Sequence, residues 1–89
     1  TSDKLVITHG TDTMIETAKR LSEITDKIIV ITGAMRPEKF SDSDAMFNVG
    51  IAIAAVQILP YGVYIAMNGK VYRWDRVKRN IQTGQFVEL

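Results

Sequence analysis

Residues 4–14, KLVITHGTDTM, decide the fold. Lys4–Thr8 is a run of branched apolar residues, the composition of a β-strand. It ends in a small polar knot, His9-Gly10-Thr11-Asp12-Thr13, and the chain then changes period. In Thr13–Ile24 (TMIETAKRLSEI), Ile15, Ala18, Leu21 and Ser22 share one helical face, while Glu16, Lys19, Arg20 and Glu23 point away. A strand passing directly into a helix is the first half of a βαβ unit. The knot between them has two readings. Gly10 can turn the chain while Thr11, Asp12 or Thr13 caps the helix, a contribution of about 1 kcal/mol, with Thr13-x-x-Glu16 as a candidate capping box. Alternatively the knot is a site: the Thr11 hydroxyl lies near a base or a cation and Asp12 accepts from a substrate ammonium, with the helix N-terminus favouring developing negative charge nearby.

Outward from this stretch the alternation repeats. Lys27–Thr32 (KIIVIT) reads as a second strand, and GAMRPEKFSDSD as a loop punctuated by glycine, proline and serine. Asp44–Leu59 reads as a second helix with Ala45, Val49, Ala52, Ile53 and Val56 as its buried stripe, stopped by Pro60. Gly62–Met67 (GVYIAM) is a third strand. Asn68-Gly69 is the dipeptide of a two-residue hairpin, which returns KVYRW beside it. The order βαβαβ predicts an α/β fold: a three-layer, mainly parallel, Rossmann-like sheet. Right-handed crossovers stepping in one direction predict both helices on one face and leave the other bare. The sheet is therefore expected to be incomplete without upstream strands or a partner subunit.

Composition narrows the function classes. The 89 residues are 46% hydrophobic and 24% charged with a net charge of +1, a balance that favours neither nucleic acid nor an anionic membrane. There is no cysteine and one histidine, so thiol chemistry, disulfides and His- or Cys-rich metal centres are excluded. No apolar run approaches the ~20 residues of a spanning helix. The sequence contains no G-x-G-x-x-G, P-loop, G-x-S-x-G or H-E-x-x-H motif. Ser41–Asp44 (SDSD) lacks the spaced ligands of a calcium loop and reads as a helix start. Trp74 among Arg73, Arg76, Lys78 and Arg79 makes a weak basic-aromatic surface, set against nucleic-acid binding by the low net charge. Lys78 is either a solvated charge or an ammonium whose surroundings make it a base for a hydroxyl. The first residues, TSDKLVI, include neither an initiator Met nor a secretory signal, which suggests a chain processed or cut from a longer one.

Three segments meet where open α/β sheets bind ligands, at the carboxyl ends of the strands: THGTDT, TGAMRP and MNGKVYRWDRVKRN. In order and spacing, ITHGTDTMIETA, VITGAMRP, SDAMFNV and GVYIAMNG resemble the bacterial-type L-asparaginase family of threonine amidohydrolases, over roughly residues 5–80. The short single-domain members look nearest. The resemblance implies that residues 1–89 are the C-terminal half of an N-terminal catalytic domain. It implies catalytic roles for Thr11, Asp12 and Lys78, the lysine standing in DRVKRN where the family has a DVxKxN-like stretch. It also implies a substrate pocket bordered by Gly10, Thr11, Asp12 and Ala34. The reaction implied is hydrolysis of the side-chain amide of asparagine, or of glutamine, through an acyl-threonine intermediate. The family needs no metal and no cofactor, and its members imply a cytoplasmic homo-oligomer. The family's TGGTI-type strand, which carries the primary nucleophile, does not occur in this sequence. An isolated segment is accordingly expected to be inactive. The alternative is a non-catalytic module of the same fold that binds a small amino acid or amide, or serves in assembly.

Overall fold

The computed structural model describes residues 3–35 and 43–89. Much of the expected loop, including Ser41 and Asp42 of the SDSD segment, lies outside the described residues. The elements in chain order are β1 (Lys4–Thr8), α1 (Met14–Leu21), β2 (Ile28–Thr32), α2 (Ala45–Val56), β3 (Gly62–Met67), β4 (Lys70–Arg73), a 3-10 turn (Trp74–Arg76), β5 (Val77–Arg79) and β6 (Phe86–Glu88). The four strands β1-β2-β3-β4 form one sheet in that spatial order, and β5 and β6 form a separate antiparallel pair.

Register places the site. β1, β2 and β3 are parallel, with Thr8 opposite Thr32 and Thr32 opposite Ala66, so the three strands end level. The expected hairpin is present. Asn68 and Gly69 both take positive φ (56° and 77°), as a primed turn requires, and β4 returns antiparallel to β3. β2, apolar throughout, is buried along its whole length. β1 is an edge strand with Leu5 and both strand ends exposed, and its outer side has no strand partner among the described residues.

The helices correct the expectation of a one-sided sheet. Met14 and Ala18 of α1 pack with Ile29, Ile31, Val63 and Ile65. Ala52, Ala55 and Val56 of α2 pack with Ile28, Val30, Tyr64 and Ala66. Alternate residues of a strand point to opposite faces, so α1 and α2 lie on opposite sides. Three layers are thus built by these two helices, and neither face is bare. Because both crossovers step the same way across the sheet, helices on opposite faces mean that one crossover is left-handed. The right-handed preference arises from strand twist. Here it yields to burial, since both side-chain sets of β2 and β3 are apolar and each needs cover.

The buried side of α2 also differs from the expected stripe. Asn48, Ala52, Ala55 and Val56 are buried, Ala45 and Val49 are half-buried, and Ile53 is 49% exposed. The twelve residues of α2 include no charge, so the apolar pattern has no polar side to orient it. Met46 and Phe47 join Ile53 on the outer surface. Helix α1 ends at Leu21, three residues short of the expected Ile24, and Met14 is its most buried residue together with Ala18.

Candidate active site at the level strand ends

His9 opens the polar knot and locks it in three directions. Its backbone N–H donates to the Thr32 carbonyl at 2.8 Å, joining the ends of β1 and β2. Its Nδ1 lies 2.7 Å from the Gly10 carbonyl, which can only accept, so that nitrogen carries a proton. In the neutral ring, Nε2 then accepts from the Thr17 hydroxyl of α1 at 2.9 Å. One side chain thereby ties the turn to the first helix.

Gly33 lies across from it. A Cβ at position 33 would stand 2.2 Å from the His9 carbonyl oxygen and 3.0 Å from Met14 Cε, so only glycine lets the two strand ends approach this closely. The loop beyond is held by a buried amide. Asn48 Nδ2 donates to the Gly33 carbonyl at 2.8 Å and to Asp44 Oδ2 at 2.9 Å, and the same carboxylate oxygen accepts from the Met35 N–H at 3.0 Å. Ser43 Oγ accepts from the Ala45 N–H, which agrees with a helix start at Ser43-Asp44. Thr32 Oγ1, fully buried, donates to the Ala66 carbonyl at 2.7 Å and fixes β2 against β3.

The capping reading of the knot is not realised. Thr13 is the N-cap residue of α1, but it makes no side-chain cap hydrogen bond, and Asp12 turns elsewhere. Asp12 Oδ1 lies 3.2 Å from Arg79 Nη1. Thr11, half-buried, makes no side-chain hydrogen bond with the described residues. The polar groups of the knot are therefore free of helix-end duty.

Gly10 and Ala34 line an open cleft of about 730 Å³, together with Thr8, His9, Gly33 and the α2 residues Ala45, Met46, Val49, Gly50 and Ile53. Thr11 and Asp12 stand beside this cleft in sequence without lining it. The β5–β6 pair is carried to the same end of the sheet: Asn68 Oδ1 of the hairpin turn accepts from the Phe86 N–H at 3.0 Å, and Val77 and Phe86 enter the α1-side core. Lys78 lies on β5, exposed, and makes no hydrogen bond or ion pair with the described residues. The structure thus brings Gly10 to Ala34, and Asp12 to the neighbour of Lys78, but does not join Lys78 to Thr11 or Asp12. Sequence reading missed His9, Gly33, Asn48 and Arg79. Asn48 carried a signal: it is a lone amide in an otherwise apolar helix.

Away from this end, Arg73 pairs with Asp75 at 3.4 Å, so the basic-aromatic stretch is partly self-neutralised. Among the described residues no three His, Cys, Asp or Glu gather as a metal site, and no helix is long and apolar enough to cross a membrane.

A mixed α/β sheet whose three parallel strands end level, with polar loops converging there, has the architecture in which ligands commonly bind at the strand ends. Residues 2–85 match the family described as "Asparaginase, N-terminal", and the chain belongs to that family. It is 40% identical over 91 residues to a glutaminase-asparaginase of Pseudomonas fluorescens biotype A, covering 94% of this chain and 25% of that one. It is 43% identical over 75 residues to a probable periplasmic L-asparaginase of Haemophilus influenzae, covering 79% of this chain and 22% of that protein. The solved structure of a probable cytoplasmic L-asparaginase from Campylobacter jejuni superposes with a TM-score of 0.83 at 36% identity, over 97% of this chain and 29% of that one. The chain thus spans about a quarter of the length of the curated relatives it matches.

Proposed function

We propose that these residues form part of the active site of an amidohydrolase that releases ammonia from the side-chain amide of L-asparagine, with L-glutamine as the alternative substrate. The observation that carries this reading is the polar knot at the level strand ends, whose threonine and aspartate are not consumed in capping α1. Family membership supplies the reaction class. Amide hydrolysis through a covalent intermediate needs a hydroxyl nucleophile, a base, a held substrate and donors for the oxyanion. In this proposal a threonine hydroxyl attacks the amide carbon and the C–N bond breaks. Ammonia leaves with the transferred proton, and water then cleaves the acyl ester.

Within the 89 residues, Thr11 supplies a hydroxyl, Lys78 serves as its base, Asp12 holds the substrate ammonium, and the backbone at Gly10 and Ala34 borders the substrate. The primary nucleophile is proposed to lie on a strand outside residues 1–89, added at the outer edge of β1, which has no strand partner among the described residues, so that these residues are the second half of a catalytic domain. The protein is proposed to work as a homo-oligomer. A cytoplasmic location follows the likeness to the Campylobacter jejuni protein, and cell fractionation tests it against the periplasmic relative.

The test is ammonia release from L-asparagine and L-glutamine by the protein at its natural length. Lys78→Met is expected to lower kcat by about 100-fold, the scale of removing a general base. Residues 1–89 alone are expected to turn over neither amide. Unchanged turnover by Lys78→Met overturns the role of that lysine. A second reading, a module that binds an amino-acid amide without hydrolysing it, is favoured by one observation: Lys78 is exposed and unpaired with Thr11 and Asp12. Calorimetric binding of asparagine with no ammonia released would support it.

A further inference from the structure

Arg79 has no role in the reaction above, yet it holds the carboxylate to which that reaction assigns the substrate ammonium. Its Nη1 lies 3.2 Å from Asp12 Oδ1, and the two partners differ sharply in burial, 29% exposed for the Arg79 side chain against 86% for Asp12. A largely buried guanidinium needs a counter-charge, whereas an exposed carboxylate is solvated with or without a partner. The pair therefore matters more to Arg79 than to Asp12. Arg79 Nε is buried with no hydrogen-bond partner among the described residues, and the ion pair with Asp12 anchors its guanidinium at Nη1.

The site is also shaped around Arg79. Gly84 sits at φ +78°, and a Cβ there would lie 3.4 Å from Arg79 Nη2 and 3.1 Å from Met35 Cε. Asn80 builds the turn that carries Gly84: its Oδ1 accepts from the Gln82 and Thr83 N–H groups, and its carbonyl accepts from the Gly84 N–H. The other described carboxylate at this end, Asp44, already accepts from Met35 and Asn48. Asp12, to which the proposed reaction assigns the ligand ammonium, would meet that ammonium while already paired with Arg79.

We infer that Arg79 is a specificity-determining residue, resting on the amidohydrolase reading: by neutralising Asp12 it weakens recognition of the α-ammonium and admits ω-amides of dicarboxylic acids that lack one. A ligand ammonium must share Asp12 or displace a cation whose burial makes its release costly. A ligand without the ammonium meets neither obstacle, and its carboxylate gains a guanidinium nearby.

The test compares L-asparagine with succinamate, its desamino analogue, on the protein at natural length, by kcat/KM for ammonia release. Calorimetric binding of L-aspartate and succinate gives a readout independent of turnover. Arg79→Gln is expected to raise the preference for the amino-bearing ligand about three- to five-fold, the scale of a partly exposed ion pair, through KM and Kd rather than kcat. Arg79→Lys keeps the cation and is expected to stay within about two-fold of the parent ratio. In an Asp12→Asn background, Arg79→Gln is expected to leave the ratio unchanged, as coupling through the pair demands. Melting curves of each variant establish that it is folded. Binding of both ligands with a ratio indifferent to Arg79→Gln overturns the inference alone. Failure of every variant and the parent to bind either ligand overturns the amide-site reading and the inference with it.

Discussion

Gly33→Ala should destabilise the protein although it adds only a methyl group. Glycine to alanine ordinarily stabilises by about 0.4–1 kcal/mol, because the unfolded chain loses freedom. At position 33 the native state opposes this. The new Cβ would stand 2.2 Å from the His9 carbonyl oxygen, where ordinary contact begins near 3.4 Å, so the ends of β1 and β2 must separate by about 1 Å. Over-packing against backbone costs about 1–3 kcal/mol. The same movement strains the His9 N–H to Thr32 carbonyl bond, worth about 1 kcal/mol. Set against the unfolded-state gain, the net loss is about 1–3 kcal/mol. Urea unfolding followed by the fluorescence of Trp74, the single tryptophan, reads this as a lower midpoint at constant slope. Gly50→Ala is the matched control. Position 50 lies inside α2 with nothing within 4 Å of a new Cβ, so alanine there should stabilise by about 0.8–1 kcal/mol. A Gly33→Ala midpoint equal to or above the parent's would refute the close-approach argument.

Other perturbations probe the supports of the site. Asn48→Ala removes a buried donor shared by the Gly33 carbonyl and Asp44, and should cost about 2–3 kcal/mol in the same unfolding assay. Asn48→Asp should cost more, because it sets a second carboxylate against Asp44; equal losses would contradict the donor role. Tyr61 donates to Asp3 at 3.1 Å, and that hydrogen bond, reinforced by the Asp3 charge, holds the phenol above its ordinary ionisation range. The stability this contact adds is present below the ordinary tyrosine pKa and is lost as pH rises through the raised one. Absorbance titration at alkaline pH should show Tyr61 returning toward the ordinary value in Asp3→Asn; an unmoved titration would rule out the contact.

The order of the elements from β1 to β4, their bounds to within a few residues, and the Asn68-Gly69 turn were legible because each rests on local chemistry: branched runs, a period of 3.6 or 2, and a dipeptide tolerant of positive φ. The short β5 and β6 of the mixed tail were not. Nor were the faces of the helices. α2 is uncharged, so its buried side is chosen by Asn48 reaching the Gly33 carbonyl across fifteen residues, a contact no periodicity encodes. The left-handed crossover escaped for a related reason. The right-handed preference follows from strand twist, whereas the two apolar faces of β2 and β3 each require a helix. At the site, HGTDT announced itself by its polarity between a strand and a helix. Its meaning depended on hydrogen bonds that a sequence leaves open, since Thr13 and Asp12 are sound capping residues that the fold does not use as caps. Arg79 was indistinguishable from its basic neighbours until β5 turned it toward Asp12.

The most direct measurement of the central claim compares two hydroxyls in one knot. Thr11→Ala and Thr13→Ala are equal in chemistry and two residues apart, and both hydroxyls are free of helix capping. In the protein at natural length, Thr11→Ala should lower the kcat for ammonia release from L-asparagine by about 100-fold or more, while Thr13→Ala stays within about three-fold of the parent. Equal activity of the two variants would contradict the assignment of this strand end as the catalytic one.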